Sequence, residues 1–122
     1  MSLVNTGHLC QIAETEFSDI VVEAFSPDVN ELRIFLIDGS FVDVWFSLKL
    51  EGRYSYHWER RAVDGTIYRH DNDPHKRWET VKTFPRHFHD GSEDRVVESY
   101  ISEEPEQALR SFLEFVREKF IK

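Results

Sequence analysis

The clearest pattern in the 122-residue chain is an apolar stripe near its C-terminus. After Pro105, large apolar residues recur at i, i+3, i+4, i+7 and i+11, the spacing of one helix face. Ser102, two acids and Pro105 precede the stripe, and a capping hydroxyl, acids in the first turn and an early proline favour a helix start. We therefore predict a long helix from about Pro105 to Ile121 that packs on a sheet. The stripe comprises Leu109, Phe112, Leu113, Val116 and Phe120.

The preceding residues alternate between apolar and polar with the two-residue period of half-buried strands. Acid-glycine pairs separate consecutive runs and favour tight hairpin turns, which make neighbouring strands antiparallel. These patterns predict an α+β fold with an antiparallel β-meander of about four or five strands and a short N-terminal helix in residues 3–15. The turn pairs are Asp38-Gly39, Glu51-Gly52 and Asp64-Gly65. The runs are Phe17–Phe25, Glu31–Ile37, Phe41–Leu50, Arg53–Val63 and Thr66–Asp71.

The run Arg53–Val63 indicates which face of the sheet the C-terminal helix covers. Tyr54, Tyr56 and Trp58 alternate with ionisable residues, as expected for a sheet that is covered on one side. We predict that the helix packs on these aromatic residues. If the faces are assigned the other way, it packs on Val44 and Phe46.

Composition narrows the class of protein. The length suits a single domain over residues 1–122, and 40% hydrophobic residues suit a soluble globular fold. The chain has neither an apolar run long enough for a membrane helix nor a secretory signal pattern. Cys10 has no intramolecular disulfide partner. We therefore expect a cytoplasmic protein.

Charge is distributed unevenly. The net charge of −8 argues against nucleic-acid binding as a default, because phosphate affinity comes mainly from cationic side chains. However, residues 53–89 contain eight Lys and Arg against five Asp and Glu, and five of the six histidines. Residues 72–101 show no clear period, and a connection of this length should be functional or partly ordered. We interpret the basic, histidine-rich stretch as a functional face.

The same stretch holds the candidate chemistry. A tight turn at Asp64-Gly65 would place His57 opposite a residue near Asn72, at the open end of a hairpin. A loop anchored by Phe84-Pro85 could return two more histidines to that end, where imidazoles and arginines could transfer protons and stabilise a phosphate. The catalytic candidates are His57, Asp71, His75, His87 and His89. The substrate-binding candidates are Arg60, Arg61, Arg69, Arg86 and Trp58.

Two other interpretations of these residues stay open. His87 and His89 lie two apart, so an extended segment would project both rings to one side, where Asp71 or His75 could complete a metal site. Alternatively, residues 71–74 form a good turn sequence, and the histidines only cap loops. The chain contains no zinc-protease, P-loop or nucleophile-elbow motif. We predict no cofactor and no bound metal.

Four motifs in order resemble the TumE-type toxin family of bacterial and archaeal toxin–antitoxin systems. They are Tyr-x-Tyr-His-Trp (54–58), Arg-x-Asp-Asn-x-Pro-His (69–75), Thr-Phe-Pro-x-His-x-His (83–89) and Ser-Glu-Glu-Pro (102–105). The resemblance spans about residues 30–121. It implies a cytoplasmic growth inhibitor that is neutralised by a helix-turn-helix type antitoxin encoded beside it. The matching residues are Tyr56, His57, Trp58, Asp71, Asn72, Pro74, His75, Pro85, His87 and His89.

The resemblance also bears on activity. The expected element order loosely resembles compact ribonuclease toxins, which implies metal-independent cleavage of an RNA substrate, with histidines as acid and base and arginines on the phosphate. The alternatives are a non-catalytic protein-interaction module and a metal-dependent hydrolase that uses the histidines and Asp71. Whether the chain forms a homodimer stays open.

Overall fold

The computed structural model describes residues 3–121 and contains one sheet flanked by helices. The helices are α1 (Thr6–Glu16), a single turn α2 (Arg61–Asp64) and α3 (Pro105–Ile121), and a 3-10 turn covers Lys76–Trp78. The strands are β1 (Val21–Asp28), β2 (Glu31–Leu36), β3 (Phe41–Phe46), β4 (Tyr54–Arg60), β5 (Thr66–Asp71), β6 (His87–Gly91) and β7 (Val96–Glu98). None of the helices within residues 3–121 is long and apolar enough to cross a membrane.

The seven strands form one antiparallel meander in chain order. The predicted α+β class and topology are therefore confirmed, whereas the predicted number of strands was too low. The expected turns at Gly39 and Gly65 have φ of 87° and 82°, which explains why glycine occupies both. The strands β6 and β7 were missed because five- and three-residue strands are too short to show a period.

The helices α1 and α3 pack on the same face of the sheet and bury its apolar residues. The predicted stripe is confirmed, because Leu109, Phe112, Leu113 and Val116 are all at most 1% exposed. The ring of Phe112 lies 6.4 Å from that of Tyr56. The two packing surfaces that were considered as alternatives are the same surface, since Val44 pairs with Tyr56 across β3 and β4.

The ends of several elements differ from the predictions for local reasons. The run Phe41–Leu50 ends as a strand at Phe46, and Leu48 and Leu50 lie exposed in a turn. At the start of α3 the carboxylate of Glu104 accepts from the backbone N–H of Glu106 and Gln107, at 3.2 and 2.8 Å. Glu104 is thus the cap, and the Ser102 hydroxyl accepts from the Glu104 N–H.

The register between β4 and β5 differs from the predicted one. Residues 61–64 form a helical turn, so the connection is longer than a two-residue hairpin and the pairing ends at Arg60 and Thr66. Consequently His57 lies opposite Arg69, not near Asn72, and Ser55 lies opposite Asp71. This register decides which side chains meet on the face of the sheet away from α1 and α3, called the open face below.

Candidate functional site

Strands β4, β5 and β6 place ionisable side chains next to one another on the open face. The pairing aligns His57 with Arg69 and Arg69 with His89 across three strands. Two residues further along β5, Asp71 pairs with His87. Because alternate residues of a strand share a face, this register gathers residues that are far apart in the sequence.

Asp71, His87 and His89 form a compact buried group, called the Asp71 cluster below. The Nε2 atoms of His87 and His89 lie 3.1 and 3.6 Å from the two carboxylate oxygens of Asp71. The two imidazole rings are 4.9 Å apart between centroids. His87 and His89 are 1% and 3% exposed and Asp71 is 8% exposed, so the group lies beneath the surface.

The other ring nitrogen of each buried histidine, Nδ1, forms a hydrogen bond with a backbone carbonyl. His87 Nδ1 lies 2.8 Å from the carbonyl oxygen of Pro85, and His89 Nδ1 lies 3.0 Å from that of Glu93. A carbonyl oxygen can only accept, so each Nδ1 carries a proton and donates. The ring of Trp78 lies 6.2 and 5.8 Å from those of His87 and His89 and covers them from the loop.

Electrostatics keep the Asp71 carboxylate ionised. Burial raises the pKa of Asp71, but the contacts with His87, His89 and the Asp73 backbone N–H together outweigh burial and hold the pKa well below its usual range. Burial lowers the pKa of His87, but its contacts with Asp71 and with the Pro85 carbonyl together raise the pKa above its usual value. The Asp71 carboxylate is also held by the backbone N–H of Asp73, at 3.0 Å.

Arg69 joins the Asp71 cluster to the rest of the open face. Its Nε donates to Asp71 at 3.0 Å, and a terminal nitrogen lies 3.2 Å from His57 Nδ1. Glu93 receives two further hydrogen bonds from the guanidinium, which lowers the pKa of Glu93. Arg69 is therefore fixed between two carboxylates and one imidazole.

These side chains line an open cavity of about 220 Å³, called the Asp71 cavity below. The Asp71 cluster and Arg69 form part of its wall, and the loop after β5 supplies His75, Arg77 and Trp78. The lining residues are Arg69, Asp71, Asp73, His75, Arg77, Trp78, His87, His89 and Glu93. Within residues 3–121, the Asp71 cluster is the group of potential metal ligands whose donor atoms all lie within 4.8 Å of one another.

The order of these motifs along β4, β5, the loop and β6 can be compared with known families. A family model described as "Toxin TumE" matches residues 8–120, which is nearly the whole chain. The chain belongs to this toxin family. Searches of curated proteins and of solved structures find no match. Family membership supports a place on the toxin side of a toxin–antitoxin pair.

The toxin brings together most of the predicted catalytic residues. Asp71, His87 and His89 are in direct contact, and His75 lines the same cavity. His57 is half-buried and lies beside Arg69, but it does not line the cavity. Its Nδ1 accepts from Arg69, and its Nε2 lies 3.1 Å from Glu59. Burial, more than any other cause, lowers the pKa of His57.

Several predicted substrate-binding residues lie elsewhere. Trp58 is 0% exposed in the core on the opposite face, where its indole N–H donates to Ser40. Arg60 stacks over Trp58 and pairs with Asp38 and Asp64. Arg86 donates to the Ile101 carbonyl. Arg61 reaches the edge of the site through Glu93, at 3.1 Å. Of the predicted arginines, Arg69 alone lines the Asp71 cavity.

Four residues that line the site were not predicted from the sequence: Asp73, Arg77, Trp78 and Glu93. Glu93 lies in the turn between β6 and β7, so its position was hidden while those strands were not predicted. Trp78 and Arg77 lie in the aperiodic loop, where the Arg77 guanidinium lies 4.6 Å from the Trp78 ring centroid. An arginine next to a tryptophan inside the basic stretch was the available signal for both.

Proposed function

We propose that this toxin inhibits growth by cleaving RNA in the Asp71 cavity. The observation that carries the proposal is the convergence of a fixed arginine, a buried carboxylate and several imidazoles on one open cavity of the sheet. Phosphodiester cleavage requires a cation for the phosphate and groups that accept and donate protons. The cavity contains each of these.

Arg69 and Arg77 are the candidates for binding the phosphate. Arg69 is held by Asp71 and Glu93, so its guanidinium is oriented before a ligand arrives. Arg77 is exposed, and its stacking on Trp78 places a cation beside an aromatic surface. Aromatic side chains stack on nucleic-acid bases with little sequence preference, which suits a single-stranded RNA.

His75 is the accessible imidazole of the cavity. Its Nδ1 accepts from the backbone N–H of Arg77 at 3.1 Å, so the neutral ring carries its proton on Nε2. That nitrogen makes no hydrogen bond to the residues 3–121 and is available to a substrate oxygen. We assign His75 the role of proton donor.

A set of four histidines acting as acid and base receives less support. His87 and His89 are almost inaccessible, and both nitrogens of each ring already face an oxygen. His57 has partners on both nitrogens and positions Arg69. Cleavage therefore depends on the Asp71 cluster as a unit, together with His75 and Arg69.

Induced expression without the antitoxin tests this function. We expect growth arrest with the parent toxin, cleavage of a labelled single-stranded RNA by the purified protein, and loss of both in His75→Ala. His75 is exposed, so the thermal midpoint of this variant should barely change. His8→Ala is the matched control, because His8 is an exposed histidine on α1 outside the cavity. Growth arrest with intact RNA, or full cleavage by His75→Ala, would contradict the proposal.

A further inference from the structure

In the Asp71 cluster, hydrogen bonds among the described residues do not account for the contact between the two histidine Nε2 atoms and the Asp71 carboxylate. The backbone carbonyls of Pro85 and Glu93 accept hydrogen bonds from the Nδ1–H groups of His87 and His89. In a neutral ring the remaining nitrogen, Nε2, carries a lone pair. Both Nε2 atoms nevertheless lie close to the oxygens of the Asp71 carboxylate, at 3.1 and 3.6 Å, and these oxygens also present lone pairs.

Positive charge placed between the two Nε2 atoms and the carboxylate would stabilise this arrangement. One solution is a proton on each Nε2, which makes two imidazolium rings with centroids 4.9 Å apart, both buried beside Arg69. Burial of neighbouring like charges is costly. The other solution is one divalent metal ion, which carries the charge of both protons and accepts both lone pairs.

The chemistry of the donors fits a metal ion. Two imidazoles and one carboxylate are ligands of zinc in hydrolases and of non-haem iron, in sites that keep coordination positions open to substrate. Histidine ligands commonly donate their second N–H to a backbone carbonyl, which fixes the tautomer and the ring orientation. Both His87 and His89 show this outer contact.

The charges of the cavity lead to the same conclusion. Its lining contains three carboxylates, from Asp71, Asp73 and Glu93, against the guanidinium groups of Arg69 and Arg77. With neutral histidines these groups carry a net charge of −1, which weakens the attraction of Arg69 and Arg77 for a phosphate. A divalent ion changes this net charge to +1 and so strengthens the binding of an anionic substrate.

We propose that Asp71, His87 and His89 bind one divalent first-row transition-metal ion, such as Zn²⁺, in the wall of the Asp71 cavity. From the sequence we predicted no bound metal, but a metal site of His87 and His89 with Asp71 or His75 stayed open as an alternative. As a catalytic centre this site rests on the proposed ribonuclease function, in which the ion would polarise a phosphate oxygen. As a binding site it stands independently of the substrate.

Calorimetric titration of the chelator-treated full chain with ZnCl₂ tests the site directly. We expect one ion per chain for the parent. His87→Gln and His89→Gln should each weaken Zn²⁺ binding by about 100-fold or more, since each removes one of three ligands. Substitution of Zn²⁺ by Co²⁺ should produce visible absorption bands that these variants lose. His70→Gln and His8→Ala are the controls and should retain binding, because His70 lies on the other face of the sheet and His8 lies on α1 outside the cavity.

The outcomes separate the two proposals. No stoichiometric Zn²⁺ or Co²⁺ binding by the parent overturns the metal site, and so does unchanged binding in His87→Gln and His89→Gln. Circular dichroism shows whether each variant is folded. The titration of the parent tests the metal site even if a variant does not fold. Binding without RNA cleavage leaves the metal site in place and overturns the ribonuclease. If the chain binds no metal and still cleaves RNA in the presence of chelator, the ribonuclease stands and the metal site is overturned.

Discussion

Strand β5 places the neighbouring residues His70 and Asp71 on opposite faces of the sheet, and the surroundings of the two faces differ. His70 lies under α3, with its ring centroid 4.3 Å from that of Phe88 and 5.7 Å from that of Phe112. Its Nδ1 is paired with the Ser99 hydroxyl at 2.7 Å. Burial, the largest cause, lowers the pKa of His70 to about 4, so this histidine is neutral at pH 7.

On the open face the surroundings shift the pKa of a histidine in the opposite direction. There His87 and His89 lie beside a carboxylate, and the contacts of His87 with Asp71 and the Pro85 carbonyl raise its pKa in spite of burial. A helix with an apolar stripe covers the first face, whereas one loop with Trp78 covers this part of the second. A histidine on the helix face is therefore part of the apolar core, whereas the histidine pair on the open face keeps polar partners and adjoins a cavity.

The largest effect on stability should come from the helix-covered face. Phe112→Ala removes a 1% exposed ring that contacts Tyr56, His70 and Phe115, and should lower the free energy of unfolding by about 3–5 kcal/mol. Urea denaturation of both proteins measures this difference. A loss below about 1 kcal/mol would mean that the stripe is not core.

The next effect is a pH dependence of stability that arises from His70. Its folded pKa of about 4 lies below the unfolded value of about 6.5, so the unfolded chain binds the proton first. This contribution to stability is fully present above pH 6.5 and is lost as the pH falls through 4, by at most about 3 kcal/mol. His70→Gln should flatten this part of the stability profile. Identical slopes in the two proteins would show that His70 is protonated freely in the folded state.

Trp78→Ala sharpens the comparison from the open face. Trp78 is half-buried on a loop, so its removal should lower the free energy of unfolding by only about 1 kcal/mol. Growth inhibition should fall much more, because the indole covers His87 and His89 and supports Arg77. Trp45→Ala, an exposed tryptophan of β3, is the matched control and should keep full toxicity. Equal losses of toxicity in both variants would contradict a special role for Trp78.

The smallest effect concerns the surface ion pairs of α3. Arg117 donates to Asp19 at 2.8 and 2.9 Å and stacks over Phe17. Such pairs are solvent-screened, so Arg117→Ala should cost less than about 1 kcal/mol and should not change toxicity. Thermal unfolding at low and high salt measures the difference. A cost near that of Phe112→Ala would show that this corner contributes as much as the core.

The candidate site was predicted less completely than the fold. The residue types of the Asp71 cluster could be chosen from sequence, because histidines and acids are concentrated in one basic stretch. Their partners could not, since the helical turn at Arg61–Asp64 shifts the register of β5 and two short strands carry His87, His89 and Glu93. Trp58 illustrates the same limit, because its position on an alternating strand fits either face until the partner strands are known.

The sequence by itself determined the helical stripe, the antiparallel order and the aromatic face, because each follows from local periodicity or from a turn between neighbouring strands. Only the tertiary structure decided that Asp71 meets His87 and His89, that Arg69 joins them, and that Arg60, Arg86 and Trp58 do not. These contacts depend on the register between strands, and a shift of one residue moves every side chain to the other face of the sheet.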